Sequence, residues 1–472
     1  MSERLHISFI ITCIGAVFTF LFSPGCANIV PPSGGAIDTI PPLVTRSIPM
    51  DSALNVSNNK ITLQFNEYIE LKNATEEVII SPFPQKQPLI ESKLKTITVR
   101  FKDSLLPNTT YTIDFGQSVA DINEGNIQKN FQHIFSTGSY IDSNSLSGRI
   151  LLAETGKPDS TMWAVLYKKE EDSTVWKENP AYVARINGKG YFRFDRLPPG
   201  RYHLYGLKDA DGNKRYNQPI ESFAFLNDPV MIPEDTLPRK LYAFATEKEK
   251  KRTPPEPKKD TKQPVKISYQ TNLAGGALDI SDTLSITFKE KLTELDKAGV
   301  LLYEDTLPAP KNINIQYDSI FKKLSLIYPS NPGGNYRIIL SKAFAKDSSG
   351  NTLKQNDTIR FRVKKEEEYG SVRIRFKGLD ISKKPVLLFY QNDAIKYSYP
   401  LAANEFYTRL FKPDTYTIAI LLDENGNGTW DAGDYFSSPK KQPELVMAID
   451  KEVVVKENWD NETEIELLGN TP

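Results

Sequence analysis

The stretch Tyr416-Thr-Ile-Ala-Ile-Leu-Leu422-Asp423-Glu-Asn-Gly-Asn-Gly-Thr-Trp-Asp-Ala-Gly-Asp434 sets a run of β-branched, aliphatic and aromatic residues directly before a run of oxygen-bearing ones. Residues 416–422 read as a strand. In the loop that follows, side-chain oxygens fall at position one (Asp423), three (Asn425), five (Asn427), nine (Asp431) and twelve (Asp434). Gly428 stands at position six, where a calcium loop turns sharply. A hard cation takes about six to eight oxygens, and alternate residues of a tight loop supply them. With the backbone carbonyl of Thr429, this is the candidate metal set. The competing reading is a polar turn whose Asn and Asp side chains bond their own backbone. Either way the scaffold is a strand, so the loop does not belong to a helix–loop–helix sensor.

The same pattern occurs earlier, as Tyr202-His-Leu-Tyr-Gly-Leu-Lys-Asp209-Ala-Asp211-Gly-Asn213. The tyrosines and the leading aspartates are separated equally, since 416 − 202 and 423 − 209 both give 214. The chain therefore contains a duplication. The first loop is degenerate. Asp209, Asp211, Asn213 and Asn217 hold positions one, three, five and nine, while Lys214 replaces the glycine and Ile220 occupies position twelve. It is the weaker of the two candidate calcium loops.

Reading outward, short alternating segments recur along the whole chain, and proline is plentiful, at 32 of 472 residues, so an all-β, multidomain protein is expected. Ile61 to Glu67, Val78-Ile-Ile80, Thr96 to Phe101, Thr110 to Phe115 and Phe131 to Phe135 form one set of strands within residues 43–138. A second copy falls within 265–364, where Leu284 to Glu290 echoes residues 61–67 and Asn335 to Ile339 echoes the stretch around Tyr111. Residues 145–246 and 370–468 carry the other repeated unit. Its local mark is a strand, a turn and a second strand: Gly190-Tyr-Phe-Arg-Phe-Asp-Arg-Leu-Pro-Pro-Gly200-Arg-Tyr-His-Leu-Tyr205, and again Phe406 to Tyr416. Residues 247–264 are rich in charge and proline, with almost nothing apolar to offset the entropy of ordering, so they read as a solvated linker.

Two resemblances follow from these segments. Ile40-Pro-Pro42, Ser47 to Met50, Phe65-Asn-Glu67, Asn108 to Ile113, Ala120 to Asn126 and Phe135-Ser-Thr-Gly138 make residues 43–138 resemble a bacterial Ig-like domain of the SbsA S-layer type. The Leu-Pro-Pro-Gly turn between strands makes 145–246 and 370–468 resemble prealbumin-like sandwiches of the carboxypeptidase-regulatory kind. The expected architecture is tandem β-sandwiches, Ig-like and prealbumin-like modules alternating in two pairs.

The N-terminus reads as a targeting segment. Arg4 precedes the apolar stretch Ile7 to Phe22, and Ser23-Pro24-Gly25 leads to Cys26. Residues 1–25 resemble a lipoprotein signal of the looser Bacteroidetes type, which implies lipidation at Cys26. The only other cysteine is Cys13, inside the apolar stretch, so the mature chain has no disulfide. Residues 26–42 are Pro-, Gly- and Ser-rich and read as a flexible tether. Ala27 follows the cysteine where a retention aspartate would stand, and no acidic run succeeds it. The expected location is the outer membrane, lipid-anchored, facing the periplasm in preference to the cell surface.

Lysine plus arginine equals aspartate plus glutamate, so no global basic field draws nucleic acid. Beyond the leader only His133 and His203 remain, both in strand sequence. There is no Cys/His zinc cluster, nucleophile elbow or phosphate loop. Glu67 and Glu70 could pair for glycosidic chemistry, but their place matches a structural feature of the Ig-like pattern. Asp121, in the acidic Asp121 to Asn126 stretch, reads as a strand terminator before it reads as a metal ligand. Trp430 either stacks on a sugar ring or covers the apolar base of its own loop. The expectation is a non-enzymatic envelope scaffold or adhesion module, its partner an unidentified envelope protein or glycan. The alternative is a carbohydrate- or ligand-binding accessory lipoprotein.

Overall fold

The computed structural model describes residues 37–235, 237–247, 266–305, 307–308 and 313–467. Cys26, the leader, most of the tether and nearly all of the linker lie outside them. The chain divides into two compact units. One is built from residues up to Thr137, save Ser81–Gln85 and Asn108–Tyr111, which belong with Gly138–Pro472 to the other.

In the first unit, Val44–Ile48, Lys60–Phe65, Thr96–Arg100 and Leu89–Lys93 form one antiparallel sheet in that spatial order. Its strands alternate as a half-buried sheet must: Ile61, Leu63 and Phe65 are buried, while Lys60 and Gln64 are exposed. A second sheet is Ile79–Ser81, Thr110–Asp114 and Gln132–Ser136, its residues Ser81, Thr110 and Tyr111 being those counted with the other unit, and a short ribbon pairs Ile69–Leu71 with Val119–Asp121. The rings of Phe115 and Phe131 stack at 5.2 Å between the layers.

The second unit repeats this plan once. Tyr269–Thr271, Leu284–Phe288, Lys323–Ile327 and Asn314–Asp318 reproduce the four-stranded order. Leu292–Leu295 pairs with Ala345–Asp347 as the corresponding ribbon. Its core, from Ile267 to Val363, is a single hydrophobic cluster.

The other two modules of this unit share a second plan. In one, Tyr191–Leu197, Asn144–Leu152 and Arg239–Ala243 make a three-stranded sheet. It faces Tyr182–Arg185, Trp163–Tyr167, Gly200–Leu207 and Phe223–Phe225. In the other, Glu405–Phe411, Gly370–Lys377 and Asp460–Glu466 face Ala394–Pro400, Pro385–Gln391, Asp414–Leu422 and Leu445–Val455. In both, the first strand pairs parallel with the last. The matched tyrosines act alike: the Tyr202 hydroxyl donates to the Pro198 carbonyl and that of Tyr416 to the Lys412 carbonyl, each at 3.0 Å and four residues back. The fold is thus all-β, with helix confined among the described residues to single turns such as Ala74–Glu77 and Thr174–Lys177. No helix among the described residues is long and apolar enough to cross a membrane.

Candidate functional site

The two loops that leave the strands Gly200–Leu207 and Asp414–Leu422 are rich in side-chain hydrogen bonds to backbone. In the later loop, Asp423 is buried at the strand end. One carboxylate oxygen accepts from the backbone N–H of Gly426 at 2.7 Å and of Asn427 at 3.2 Å, the other from Gly428 at 2.7 Å. The turn passes through Gly428 at φ 78°, a left-handed conformation that suits glycine. The amide nitrogens of Asn425 and Asn427 both reach the Asp431 carboxylate, the second at 2.8 Å. Asn427 Oδ1 accepts from the backbone and hydroxyl of Thr429. Asp423, Asn425, Asn427, Thr429 and Asp431 are therefore brought together.

Asp434 is not. It is exposed, its carboxylate accepts from the N–H groups of Phe436 and Ser437, and its backbone pairs with Lys441. The carboxylate that closes the loop is Glu444. It is 5 % exposed and accepts from the backbone N–H of Asp431 at 3.0 Å and of Asn425 at 3.4 Å. Burial raises its pKa above the ordinary glutamate value, with Asp423 and Asp431 adding repulsion. Spacing alone missed it because the chain makes a long excursion between Asp431 and Glu444. Carboxylates and amide oxygens are hard oxygens of the type calcium takes, but here the amide nitrogens face Asp431 and the amide oxygens accept from Asn427 and Thr429.

Trp430 is half-buried. Its indole N–H donates to the Glu444 carbonyl at 2.7 Å, and its ring lies against the apolar patch of Val386, Leu388, Ala419, Leu421 and Val446.

The earlier loop is built the same way, with a lysine ammonium among its acids. Asp209, Asp211 and Glu221 place carboxylate oxygens within 4.8 Å of one another. Glu221 is fully buried and accepts from the backbone N–H of Ala210, Asn217 and Gln218. The Asp209 side chain is 1 % exposed, and one of its oxygens meets the Lys214 ammonium at 2.7 Å. Lys214 holds the position of Gly428 in a left-handed conformation of its own, φ 61°, and its ammonium also lies 4.4 Å from the centre of the Trp163 ring. Asp209 Oδ1 is buried without a hydrogen-bond partner. Asn213 and Asn217 contact Asp211 at 2.7 and 3.5 Å. Glu221 and Glu444 share one sequence signal: each is an acid just before the next strand, Phe223–Phe225 or Leu445–Val455.

The remaining candidates serve the fold. Asp121 bonds the backbone N–H groups of Glu124, Gly125 and Asn126. Glu70 pairs with Lys72 at 2.9 Å. His133 is 1 % exposed, and burial lowers its pKa against the opposing pull of Asp51. His203 is lowered by burial first and by Arg201 next.

The excursion between Asp431 and Glu444 makes a contact that no sequence pattern announced. Tyr435, 2 % exposed, enters an aromatic socket of the module spanning residues 145–246, edge-on to Tyr205, Phe223 and Phe225. Its hydroxyl lies 3.0 Å from that of Tyr205 and donates to Asp172 at 3.0 Å. Lys440 reaches the same aspartate at 2.5 Å. Gly433 is required here for space, because a Cβ would lie 2.8 Å from the Phe244 ring.

Among curated proteins, none matches this sequence. Solved structures similar to it include BcpA, the major pilin subunit of Bacillus cereus, at 11% identity and TM-score 0.17, covering 69% of this chain and 99% of that one. The Bacillus anthracis TIE protein is 13% identical with TM-score 0.17, covering 92% and 75%. The S-layer protein rSbsC(31-844) is 12% identical with TM-score 0.15, covering 88% and 54%. Likenesses this slight carry no functional argument. Residues 38–137 match the family model of a bacterial Ig-like domain, and that portion of the chain is similar to such a domain.

Proposed function

We propose that this chain is a non-enzymatic scaffold or adhesion module of the cell envelope, held by lipid on Cys26 to the outer membrane and facing the periplasm. The observation that supports it best is where the acids of the two loops are spent. Asp423, Glu444, Asp209 and Glu221 point at backbone N–H groups or at a neighbouring ammonium. They hold turns and position the strands that follow. The anchor and its location rest on the sequence alone: the apolar leader, a single cysteine at its boundary, and Ala27 after it.

Calcium belongs to this reading as a stiffener of the last module. Its ligands are Asp423, Asn425, Asn427, Asp431 and the Thr429 carbonyl, with Glu444 in the closing role first expected of Asp434. Three carboxylates around one loop repel one another, and a divalent cation reverses that repulsion. Asp209, Asp211, Asn213 and Asn217 form the weaker loop, where the Lys214 ammonium already offsets part of the charge.

The direct test is crosslinking in the native envelope with identification of what is caught, beside acyl-chain labelling of wild type and Cys26→Ser. A scaffold captures an envelope protein or glycan, and the variant loses both label and membrane association. Equal labelling of the variant removes the anchor. Turnover of an envelope polymer by the purified chain removes the non-enzymatic reading.

A further inference from the structure

The hairpin Asn314–Asp318/Lys323–Ile327 of the second Ig-like module ends in a turn with two neighbouring large apolar side chains in solvent. Ile320 is 83% exposed and Phe321 is 71% exposed. The fold does not need them there. The turn is fixed by Asp318, whose carboxylate accepts from the backbone N–H groups of Ile320 at 2.8 Å and Phe321 at 3.1 Å. It is joined to the sheet by Lys322, whose carbonyl accepts from Phe288 N–H and whose ammonium donates to the Lys289 carbonyl at 2.8 Å. The first Ig-like unit has the same latch: Lys95 bonds the Asn66 carbonyl at 2.7 Å and its own carbonyl accepts from Phe65 N–H. That turn presents the single apolar residue Leu94 between Lys93 and Lys95, and Glu67 lies close enough to Lys95 to feel its charge.

Around Ile320 and Phe321 the apolar surface is doubled, and basic side chains again flank it. Lys322 and Lys323 adjoin the pair in sequence, and Lys289 and Lys291 lie on the segment that the Lys322 latch holds beside it. Among the described residues none of these four ammoniums is in an ion pair; the acids beside them are Glu290, the turn-binding Asp318 and the buried Asp347, which faces Leu292 across a strand pair. An adjacent apolar pair on a projecting turn, flanked by lysines, matches a surface that is apolar beneath and anionic above.

We propose that this turn is a membrane contact: Ile320 and Phe321 enter the acyl boundary of a bilayer while Lys289, Lys291, Lys322 and Lys323 meet anionic headgroups. The contact is independent of the lipid on Cys26. It fixes the orientation of the second Ig-like module against a bilayer instead of tethering the chain from its start.

The test uses the chain from Ala27 onward, which carries neither the apolar leader nor an acylated cysteine and contains every described residue. Co-sedimentation is measured with phosphatidylethanolamine vesicles containing or lacking phosphatidylglycerol, at low and at physiological salt. The expected result is binding to the anionic vesicles that weakens with salt, and that falls by about tenfold or more in Ile320→Ser/Phe321→Ser. Lys291→Glu/Lys323→Glu is expected to lose the preference for anionic vesicles. All four sites are exposed, so each variant is expected to melt with the wild type. Equal vesicle binding by the Ile320/Phe321 variant overturns the proposal. So does the absence of vesicle binding by the wild type, including the case where the apolar pair instead drives self-association on gel filtration.

Discussion

At the scale of single residues, Lys214 and Gly428 show how a duplicated loop has found two solutions to one electrostatic problem. Each loop gathers carboxylates at the end of a strand; the later one turns its buried acids to backbone N–H groups, and the earlier adds an ammonium. Lys214 supplies it from within, 2.7 Å from a carboxylate whose side chain is 1 % exposed. Replacing it by glycine eases a left-handed backbone but leaves Asp209 buried without its ammonium. Lys214→Gly is therefore expected to lower stability by about 1–3 kcal/mol, the pair loss outweighing the backbone gain. It should also make melting respond to calcium more strongly than in the wild type; thermal melts with calcium and with chelator read both effects. In the later loop, millimolar calcium is expected to raise the melting temperature, by the equivalent of about 2.7 kcal/mol at a hundredfold excess over its dissociation constant. Asp423→Ala/Asp431→Ala and Glu444→Gln should each remove this response. Asp434→Ala should keep it, since Asp434 caps a different turn. A wild type indifferent to calcium would make the loop an ordinary polar turn.

At the scale of elements, the excursion from Asp431 to Glu444 begins and ends at the candidate metal loop, and in between it docks on another module. Tyr435 is its anchor. Burial first, and then its two oxygen neighbours, Tyr205 and Asp172, push its pKa far up, so at neutral pH it remains a donor to Asp172. Tyr435→Phe keeps the ring and loses the hydroxyl bonds, for an expected cost of about 1–2 kcal/mol. Tyr435→Ala also empties the socket, at about 3–5 kcal/mol. A direct readout is association after proteolysis within residues 247–264, which their composition marks as the first site of cleavage. The wild-type fragments are expected to co-elute on gel filtration, whereas those of Tyr435→Ala should separate more readily. Fragments of the wild type that part at once would mean that the socket contributes little.

At the scale of the whole molecule, the second unit is held by more than chain connectivity. Asp279, in the module spanning residues 265–364, takes Lys412 of the last module at 2.6 Å, Lys364 at 3.0 Å and the Tyr369 hydroxyl at 2.8 Å. Burial alone would raise its pKa, but these three donors hold it down at about 2 against an ordinary 3.8. A carboxyl depressed in the folded state contributes its full stabilisation above the unfolded value. That contribution is lost as pH falls from about 3.8 through about 2. Asp279→Asn is expected to cost about 2 kcal/mol at pH 7. Denaturation curves of variant and wild type should converge by about pH 2; a gap that stays constant with pH would assign the effect to packing instead of charge.

The sequence alone determined the strands, the duplication and the alternation of two sandwich plans. These follow from local alternation and turn chemistry, which each segment carries in its own residues. It located Asp423, Asn425, Asn427 and Asp431, because a tight loop converts spacing directly into proximity. Only the tertiary structure decided the rest. Glu444 and Glu221 return to their loops after excursions whose length sequence spacing cannot weigh. Asp434 turns away because the backbone N–H groups of Phe436 and Ser437 are nearer to it than the loop is. Nothing local marks Tyr435, which the fold carries to Tyr205, 230 residues away along the chain. Contacts of that range depend on where whole sheets come to rest, and no pattern within a single segment encodes that.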